Sequence, residues 1–331
     1  MKDATAMSRT EWALLLLLSV LWGGSFFFSK IAVAVLPPLT IVFVRFAVAA
    51  LLVFAYVRAH FIAIPTDSRR WASLVGMGLL NNLIPAGLIV WGQTMIPSGL
   101  ASIVVATTPI FSILATHFTS ADETLSLRKL FGMALGFIGV CVLFRLGATG
   151  TRSVSLIGIV ACLGAAVSYG FANALGKRFQ RLGIPPAVGA MGQMTATAGI
   201  AFPLMLTMEA PWTLAAPSAE VWASMAGLAV LSTALGYVIF FRILATAGAV
   251  NISLVTLLIP VSAMLLGSLV LGEQVSAVQL VGMFFITSGL IVIDGRVLTF
   301  AGRMVSRQRG APRSRVHRTN PIRIGRETRS R

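Results

Sequence analysis

Long apolar segments recur along nearly the whole chain and limit what it can fold into. Each is about 17–23 residues long, enough for a helix to cross a hydrocarbon layer of about 30 Å. In that layer only helices and closed barrels satisfy every backbone hydrogen bond, and these unbroken segments lack the alternation of barrel strands. Only 11% of the residues are charged, against roughly a quarter in soluble domains. The sequence therefore predicts an all-α integral membrane protein.

The segments predict about ten transmembrane helices, five in each half of the chain. Their approximate limits are Trp12–Phe28, Leu39–Val57, Trp71–Trp91, Leu100–Phe118, Leu127–Phe144, Val154–Leu175, Ala187–Met208, Trp222–Phe241, Ala249–Leu271 and Val275–Ile293. The first segment could instead belong to a cleaved signal peptide, since residues 32–34 have the small-x-small form. Its apolar run exceeds the usual length of about 7–15 residues, and Lys30 interrupts before that site. We therefore expect it to remain as a membrane helix.

The chain also contains an internal duplication. Gly99–Gly139 and Ala249–Gly289 share an order of small residues, an apolar segment with a proline, an acidic turn and a glycine-bearing apolar segment. A repeat at half-chain spacing predicts two units of similar build. The matched pairs are Pro109 with Pro260, Glu123 with Glu273, Gly132 with Gly282, Gly139 with Gly289 and Trp71 with Trp222.

Basic residues predict the orientation of these two units. If the N-terminus is cytoplasmic, the outside segments carry only Lys30, Arg145 and Arg152, and the inside segments carry the other basic residues of the spans and loops. The positive-inside rule then places both termini in the cytoplasm. Because five is odd, the second repeat is inverted relative to the first, a plan that places a transport site near the midplane. We assign 1–11 to a cytoplasmic N-terminus, 12–147 to the first repeat and 148–295 to the second.

Residues 296–331 form a basic tail of different character. It holds eleven arginines and one acid, Glu327. We expect this cytoplasmic tail to attract anionic lipid, at about 1 kcal/mol per basic residue near the surface, because it adjoins a membrane span. Nucleic acid is a poorer partner, since the tail lacks interleaved aromatic residues. An unstructured end without a specific role is the alternative.

Several motifs add a family resemblance to this pattern. The first span contains WGGSFFFSK (22–30), the second PPLTIVFVRFAVAA (37–50) and the eighth GYVIFFRIL (236–244). With the doubled Pro…Glu…Gly pattern, residues 12–293 resemble EamA-type members of the drug/metabolite transporter superfamily. The resemblance implies a ten-helix secondary transporter, commonly an exporter, of amino acids, other metabolites or drugs. It also implies a central cavity lined mainly by spans 1, 3, 4, 6, 8 and 9, with spans 5 and 10 at the periphery.

Polar and aromatic residues inside the spans are the candidates for a substrate site. A polar side chain in lipid is costly, so each should face protein or water. Asn81 and Gln193 belong to this class, and interhelical hydrogen bonding is the alternative role for any of the amides. The candidate aromatic residues could instead belong to an interfacial belt. The predicted substrate-binding residues are Trp22, Asn82, Tyr169, Asn173, Thr233 and Tyr237.

Two matched prolines are candidates for kinks that line the pathway. A proline inside a helix removes one backbone hydrogen bond and frees the carbonyl about four residues earlier. Pro109 and Pro260 should thus expose the carbonyls of Val105 and Thr256 as extra acceptors. Kinks that only improve packing are the alternative, since proline is common in membrane helices.

Arg45 is a charge placed inside the second span. It could contact an anion or carboxylate, or act as a fixed counter-charge in the cavity. The alternative, which we favour, is a structural cap on nearby backbone carbonyls, because the resemblance places an arginine here in members with different substrates. Gln193 occupies the matched position, so the two halves differ chemically.

The sequence argues against several other functions. The acidic residues lie outside the middle of the spans, which counts against a cation-selective drug pump. Neither a catalytic pair nor a phosphate-binding loop is recognisable, so we expect no enzyme activity, no cofactor and no metal site. Cys141 and Cys162 lie in apolar segments and are interpreted as packing residues. The predicted function is export of small polar or amphipathic metabolites, such as amino acids, by alternating access. The alternatives are efflux of drugs or toxic compounds and a non-transporting receptor or scaffold.

Overall fold

The computed structural model describes residues 7–119, 126–148 and 154–294. In these ranges the regular elements are helices, and no strand occurs. The predictions for Glu123 and for the basic tail fall outside the described residues. The chain up to Ile293 forms one compact unit, and a second unit begins at Asp294.

Five helices form the first half. Ser8 begins α1 with a capping box: its side chain accepts from the backbone of Glu11, and the Glu11 carboxylate accepts from the backbone of Ser8. Pro37 precedes α2, which starts with a second proline at a position where a missing N–H costs nothing. The helices are α1 (Arg9–Val33), α2 (Pro38–Ala59), α3 (Ser68–Gln93), α4 (Ser98–Thr119) and α5 (Leu127–Ala148).

Five more helices form the second half. They are α6 (Leu156–Arg181), α7 (Pro186–Met208), α8 (Ala219–Gly248), α9 (Val255–Val270) and α10 (Ala277–Asp294). Of the ten helices in the described residues, eight are long and apolar enough to cross a membrane; the others are α7 and the shorter α9. Together they form an all-α membrane protein of two five-helix repeats.

The span around α9 is an interrupted helix. Gly248, with φ of 81°, ends α8 by a backbone conformation that side-chain-bearing residues rarely adopt. A short helical segment then runs to Ile252, and Ser253 and Leu254 separate it from α9. The predicted span at 249–271 is therefore present in two pieces, which explains why α9 alone is short.

A π-helical stretch lies inside α3 and another inside α8. They comprise Leu79–Leu83 and Gly227–Leu235, which overlap when the repeats are matched. A π-helical turn shifts the hydrogen bonds to i→i+5 and is frequent at functional sites. The side chain of Thr233 follows the same spacing, because its hydroxyl donates to the carbonyl of Leu228 at 2.7 Å.

Helix packing follows the symmetry of the duplication. Helix α1 packs against α8 and α9, and its counterpart α6 packs against α3 and α4. Helix α2 packs against its own counterpart, α7. These largest contacts between helices thus have equivalents in the other half. With an odd number of helices per unit, this arrangement is a pair of inverted repeats.

Small residues bring α5 and α10 together. A Cβ atom added to Gly132 would lie 2.6 Å from the carbonyl oxygen of Gly289, and one added to Gly139 would lie 2.8 Å from that of Gly282. Only a residue without a side chain permits this approach. The fifth and tenth spans therefore pack on each other. Phe284 of α10 is 67% exposed, as expected for a helix at the lipid-facing periphery.

Two glutamates of the second half cap the N-termini of helices in the first half. The carboxylate of Glu209, just after α7, accepts from the backbone N–H groups of Leu39 and Thr40 at 2.7 and 2.6 Å. The carboxylate of Glu273, between α9 and α10, accepts from those of Ser98 and Gly99 at 2.8 and 3.2 Å. Both contacts lie at the end of the bundle where α2 and α4 begin. An acid at a helix N-terminus satisfies orphan donors and complements the helix dipole.

Candidate functional site

Arg45 of α2 contacts the second repeat through a side-chain hydroxyl. Its Nε donates at 2.9 Å to Oγ1 of Thr233, in the π-helical stretch of α8. In the described part of the chain, no residue accepts from its two Nη atoms, and no carboxylate lies at ion-pair distance. The guanidinium therefore does not act as the backbone cap that we favoured from sequence. It adds a fixed positive charge to a group of residues that is otherwise neutral.

A second polar bridge lies one residue away from the symmetry-related place. Nδ2 of Asn81, in the π-helical stretch of α3, donates to Oε1 of Gln193 at 2.9 Å. Gln193 lies on α7 at the position matched to Arg45. The same Asn81 nitrogen donates to the hydroxyl of Tyr237 at 3.1 Å. Each repeat thus extends one bridge onto a π-helical stretch of the other, and only one of the two bridges is charged.

In the π-helical stretches of α3 and α8, two buried side-chain atoms lack a hydrogen-bond partner. Asn82 is 2% exposed; its Oδ1 accepts from the Tyr237 hydroxyl at 3.4 Å, but its Nδ2 is unbonded. Ser232, matched to Asn81, is 1% exposed with an unbonded hydroxyl. An unsatisfied buried group costs about 1–3 kcal/mol. A hydrogen bond to a ligand or to water would remove this cost for either atom.

Aromatic rings form one wall of this group. The ring of Trp22 lies 6.4 Å from that of Tyr237, edge to face, and 5.5 Å from that of Phe240. Gly236 makes this approach possible, because a Cβ atom there would lie 2.8 Å from Nε1 of Trp22. Trp22 and Tyr237 come from different repeats, so the wall spans the boundary between them.

Tyr169 completes the group from α6. It is half-buried against an apolar cluster that includes Val104 and Ile110. Its hydroxyl lies within electrostatic reach of Arg45 and Tyr237. We refer to Trp22, Arg45, Asn81, Asn82, Tyr169, Gln193, Ser232, Thr233 and Tyr237 together as the central cluster.

Asn173 lies apart from these residues. It is exposed, and its Nδ2 donates to Oγ of Ser112 on α4 at 2.9 Å. None of the described hydrogen bonds of Asn173 reaches the central cluster. Its position one helical turn beyond Tyr169 places it along α6 from the cluster, where it links α6 to α4.

The two matched prolines differ in their surroundings. Pro109 follows a two-residue interruption of α4 at Ala106 and Thr107, whereas Pro260 is buried inside the continuous α9. The carbonyl of Val105 already accepts from the Thr108 hydroxyl at 2.7 Å. The expectation that proline leaves this carbonyl as a free acceptor is therefore wrong, because the preceding threonine bonds it.

Sequence reasoning missed part of the central cluster. Asn81 and Gln193 were noted as polar residues in spans, but nothing in their spacing linked them to one another. Ser232 carried a weak signal, since it matches Asn81 in the repeat. Phe240, which packs against Trp22 beside the cluster, gave no signal, because an aromatic residue in an apolar span is ordinary.

Inverted repeats joined by polar bridges at the centre of their spans define a multi-pass membrane protein with a polar site between its halves. The EamA-like transporter family matches residues 10–145 and 156–294. The chain therefore belongs to the EamA-like transporter family. Membership of this family identifies it as a membrane transporter, not as a member of an enzyme family.

Individual relatives support this assignment. The chain is 27% identical over 290 residues to "Uncharacterized transporter YoaV" of Bacillus subtilis, covering 87% of this chain and 96% of that one. It is 28% identical over 293 residues to a "Probable amino-acid metabolite efflux pump" of Escherichia coli, covering 86% and 95%. A crystal structure of another protein shares the fold, with a TM-score of 0.61 at 18% identity over 92% of this chain and 100% of that one.

Proposed function

We propose that this protein exports small polar or amphipathic metabolites, such as amino acids, across the cytoplasmic membrane by alternating access. The observation that carries the proposal is the pair of bridges, Arg45 to Thr233 and Asn81 to Gln193, between the inverted repeats. Polar groups are costly inside membrane spans, so a cluster of them there indicates a functional site. Rocking of one repeat against the other would expose such a cluster first to one side and then to the other.

The composition of the cluster supports a metabolite over a lipophilic cation. Amides, hydroxyls and a guanidinium supply many hydrogen bonds, and Trp22 and Tyr237 supply flat apolar surface. In the described spans, acidic side chains such as Glu11 and Asp294 lie only near helix ends. A bound organic cation would therefore find no buried counter-charge in them. The efflux-pump name of the Escherichia coli relative favours export and an amino-acid-like substrate.

The orientation is part of the proposal. At the end of the bundle where α1 begins, described basic residues include Arg58, Arg70 and Arg128. At the opposite end, the Lys30 ammonium donates to the carbonyls of Gln93 and Ile96 at 2.6 and 2.9 Å. The excess of basic residues favours a cytoplasmic location for the first end and for both termini. The tail at 296–331 would then meet anionic lipid of the inner leaflet.

Flux measured with purified protein in proteoliposomes tests the transport function. Vesicles loaded with a mixture of labelled amino acids should lose at least one of them faster than protein-free vesicles do. Asn82→Ala vesicles with the same amount of protein should lose it more slowly. Movement of ethidium in place of amino acids would favour drug efflux. Absence of flux for every compound would favour a receptor or scaffold and overturn the proposal.

A further inference from the structure

We propose that Arg45 binds a carboxylate of the transported molecule, so that the site selects small organic carboxylates and does not require their ammonium group. The inference rests on the proposed transport function and names its substrate class. It follows from three observations on the central cluster: an unpaired charge, a fixed orientation of the guanidinium and an excess of hydrogen-bond donors.

The charge of Arg45 lacks a counter-ion in the described structure. Both Nη atoms are unbonded there, and the one described ion pair, between Arg70 and Asp67, lies at a helix end. A charge inside a membrane span is costly unless it is paired or meets water. A substrate carboxylate would supply the missing negative charge, and the guanidinium fork matches a carboxylate with two parallel hydrogen bonds.

The bond to Thr233 fixes which edge of the guanidinium is free. The hydroxyl of Thr233 donates its single proton to the carbonyl of Leu228 at 2.7 Å. Its lone pair must then accept from Nε of Arg45, at 2.9 Å. With Nε occupied, the Nη atoms remain for a ligand. Thr233 is thus a positioning residue, held in place by the π-helical stretch.

The surroundings of Arg45 supply donors and lack acids. The unbonded Nδ2 of Asn82 can donate, and Asn82 bonds Tyr237, which lies within electrostatic reach of Arg45. The Tyr169 hydroxyl lies within electrostatic reach of the guanidinium. Each of these groups can bond a carboxylate oxygen. The described hydrogen bonds and ion pairs bring no Asp or Glu to the cluster, so the ammonium of an amino acid would find no ionic partner.

Binding to full-length protein in lipid nanodiscs tests the inference by calorimetry. The probes are N-acetylleucine, leucine, leucinamide and inorganic phosphate, which separate the carboxylate from the ammonium and from another anion. We expect N-acetylleucine and leucine to bind with similar affinity, and leucinamide to bind at least about tenfold more weakly. Arg45→Gln should remove this preference, and Arg45→Lys should restore part of it. Arg242→Gln, an exposed charge on α8, is the matched control and should bind like wild type.

Several outcomes would overturn the inference. These are equal binding of leucinamide and N-acetylleucine, an unchanged preference in Arg45→Gln, binding of phosphate alone, or no binding of any carboxylate probe. If Arg45→Gln misfolds, Thr233→Val serves instead, and it should weaken N-acetylleucine more than leucinamide. Leucine flux that survives in Arg45→Gln would refute carboxylate recognition and leave transport standing. Arg45-dependent binding without flux of any bound probe would refute transport and leave recognition standing.

Discussion

The carboxylate of Glu273 accepts hydrogen bonds from both the backbone N–H and the side-chain hydroxyl of Ser98, each at 2.8 Å, across 175 residues of sequence. Glu209 makes an equivalent set of bonds to the backbone and hydroxyl of Thr40. Both acids belong to the second repeat, and both accept from residues at the start of helices in the first repeat. One end of the bundle is thus held by two charged contacts between the repeats.

Glu273→Gln should destabilise the protein. The amide keeps one acceptor oxygen but loses the second and the charge at the N-terminus of α4, so we expect a loss of about 1–2 kcal/mol. Thermal unfolding of purified protein in detergent measures the effect. Glu220→Gln, an exposed acid at the start of α8, is the control and should change the melting temperature much less. Equal melting temperatures for the two variants would contradict the role of Glu273.

Gly136→Leu should lower yield and stability and leave substrate preference unchanged. A Cβ atom at Gly136 would overlap the side chain of Ile110 on α4, so α5 could not keep its place. Overpacking of this kind costs about 1–3 kcal/mol. Gly199→Leu on α7 is the matched control, because nothing lies within 4 Å of a Cβ atom there. Altered preference with wild-type stability would show that α5 contributes to the site.

Asn82→Ala and Tyr169→Ala should each reduce transport by about tenfold or more, since each removes a polar group from the central cluster. Asn82→Ala should not prevent folding, because its Nδ2 atom has no protein partner to lose and its Oδ1 atom loses one long hydrogen bond, from Tyr237 at 3.4 Å. Asn173→Ala should have a smaller effect, since Asn173 is exposed and bonds to Ser112 instead. Initial rates in proteoliposomes with matched protein amounts check all three. Normal rates for both cluster variants would place the site elsewhere.

Single cysteines should report opposite sides of the membrane at Ala216 and Ser68. The first lies before α8 and the second begins α3, at opposite ends of the bundle, and the positive-inside rule makes the Ala216 end external. The background must lack Cys141 and Cys162. In intact cells, an impermeant maleimide should label only the cysteine at 216. Labelling of both sites to the same extent would refute the proposed orientation.

The sequence was sufficient to predict the positions of the helices and the match between the two repeats. It was not sufficient to predict the hydrogen-bonding pattern inside each helix. Apolar length predicted the spans, and the duplication matched Gly132 with Gly282, two glycines that lie where α5 and α10 approach closely. The π-helical stretches were not predictable, because hydropathy does not distinguish i→i+4 from i→i+5 bonding. For the same reason the partner of Arg45 was missed, because Thr233 lies in the π-helical stretch of α8.

Helix α2 packs against its own counterpart α7, with Arg45 on one and Gln193 on the other. If the two repeats were separate and identical chains paired as an antiparallel homodimer, both positions would carry the same residue. Two arginines would then repel each other across the two-fold axis, and two glutamines would leave the centre without charge. A single fused chain is free of that constraint. Fusion therefore allows a site that is symmetric in shape and asymmetric in charge, which no homodimer of one gene product could provide.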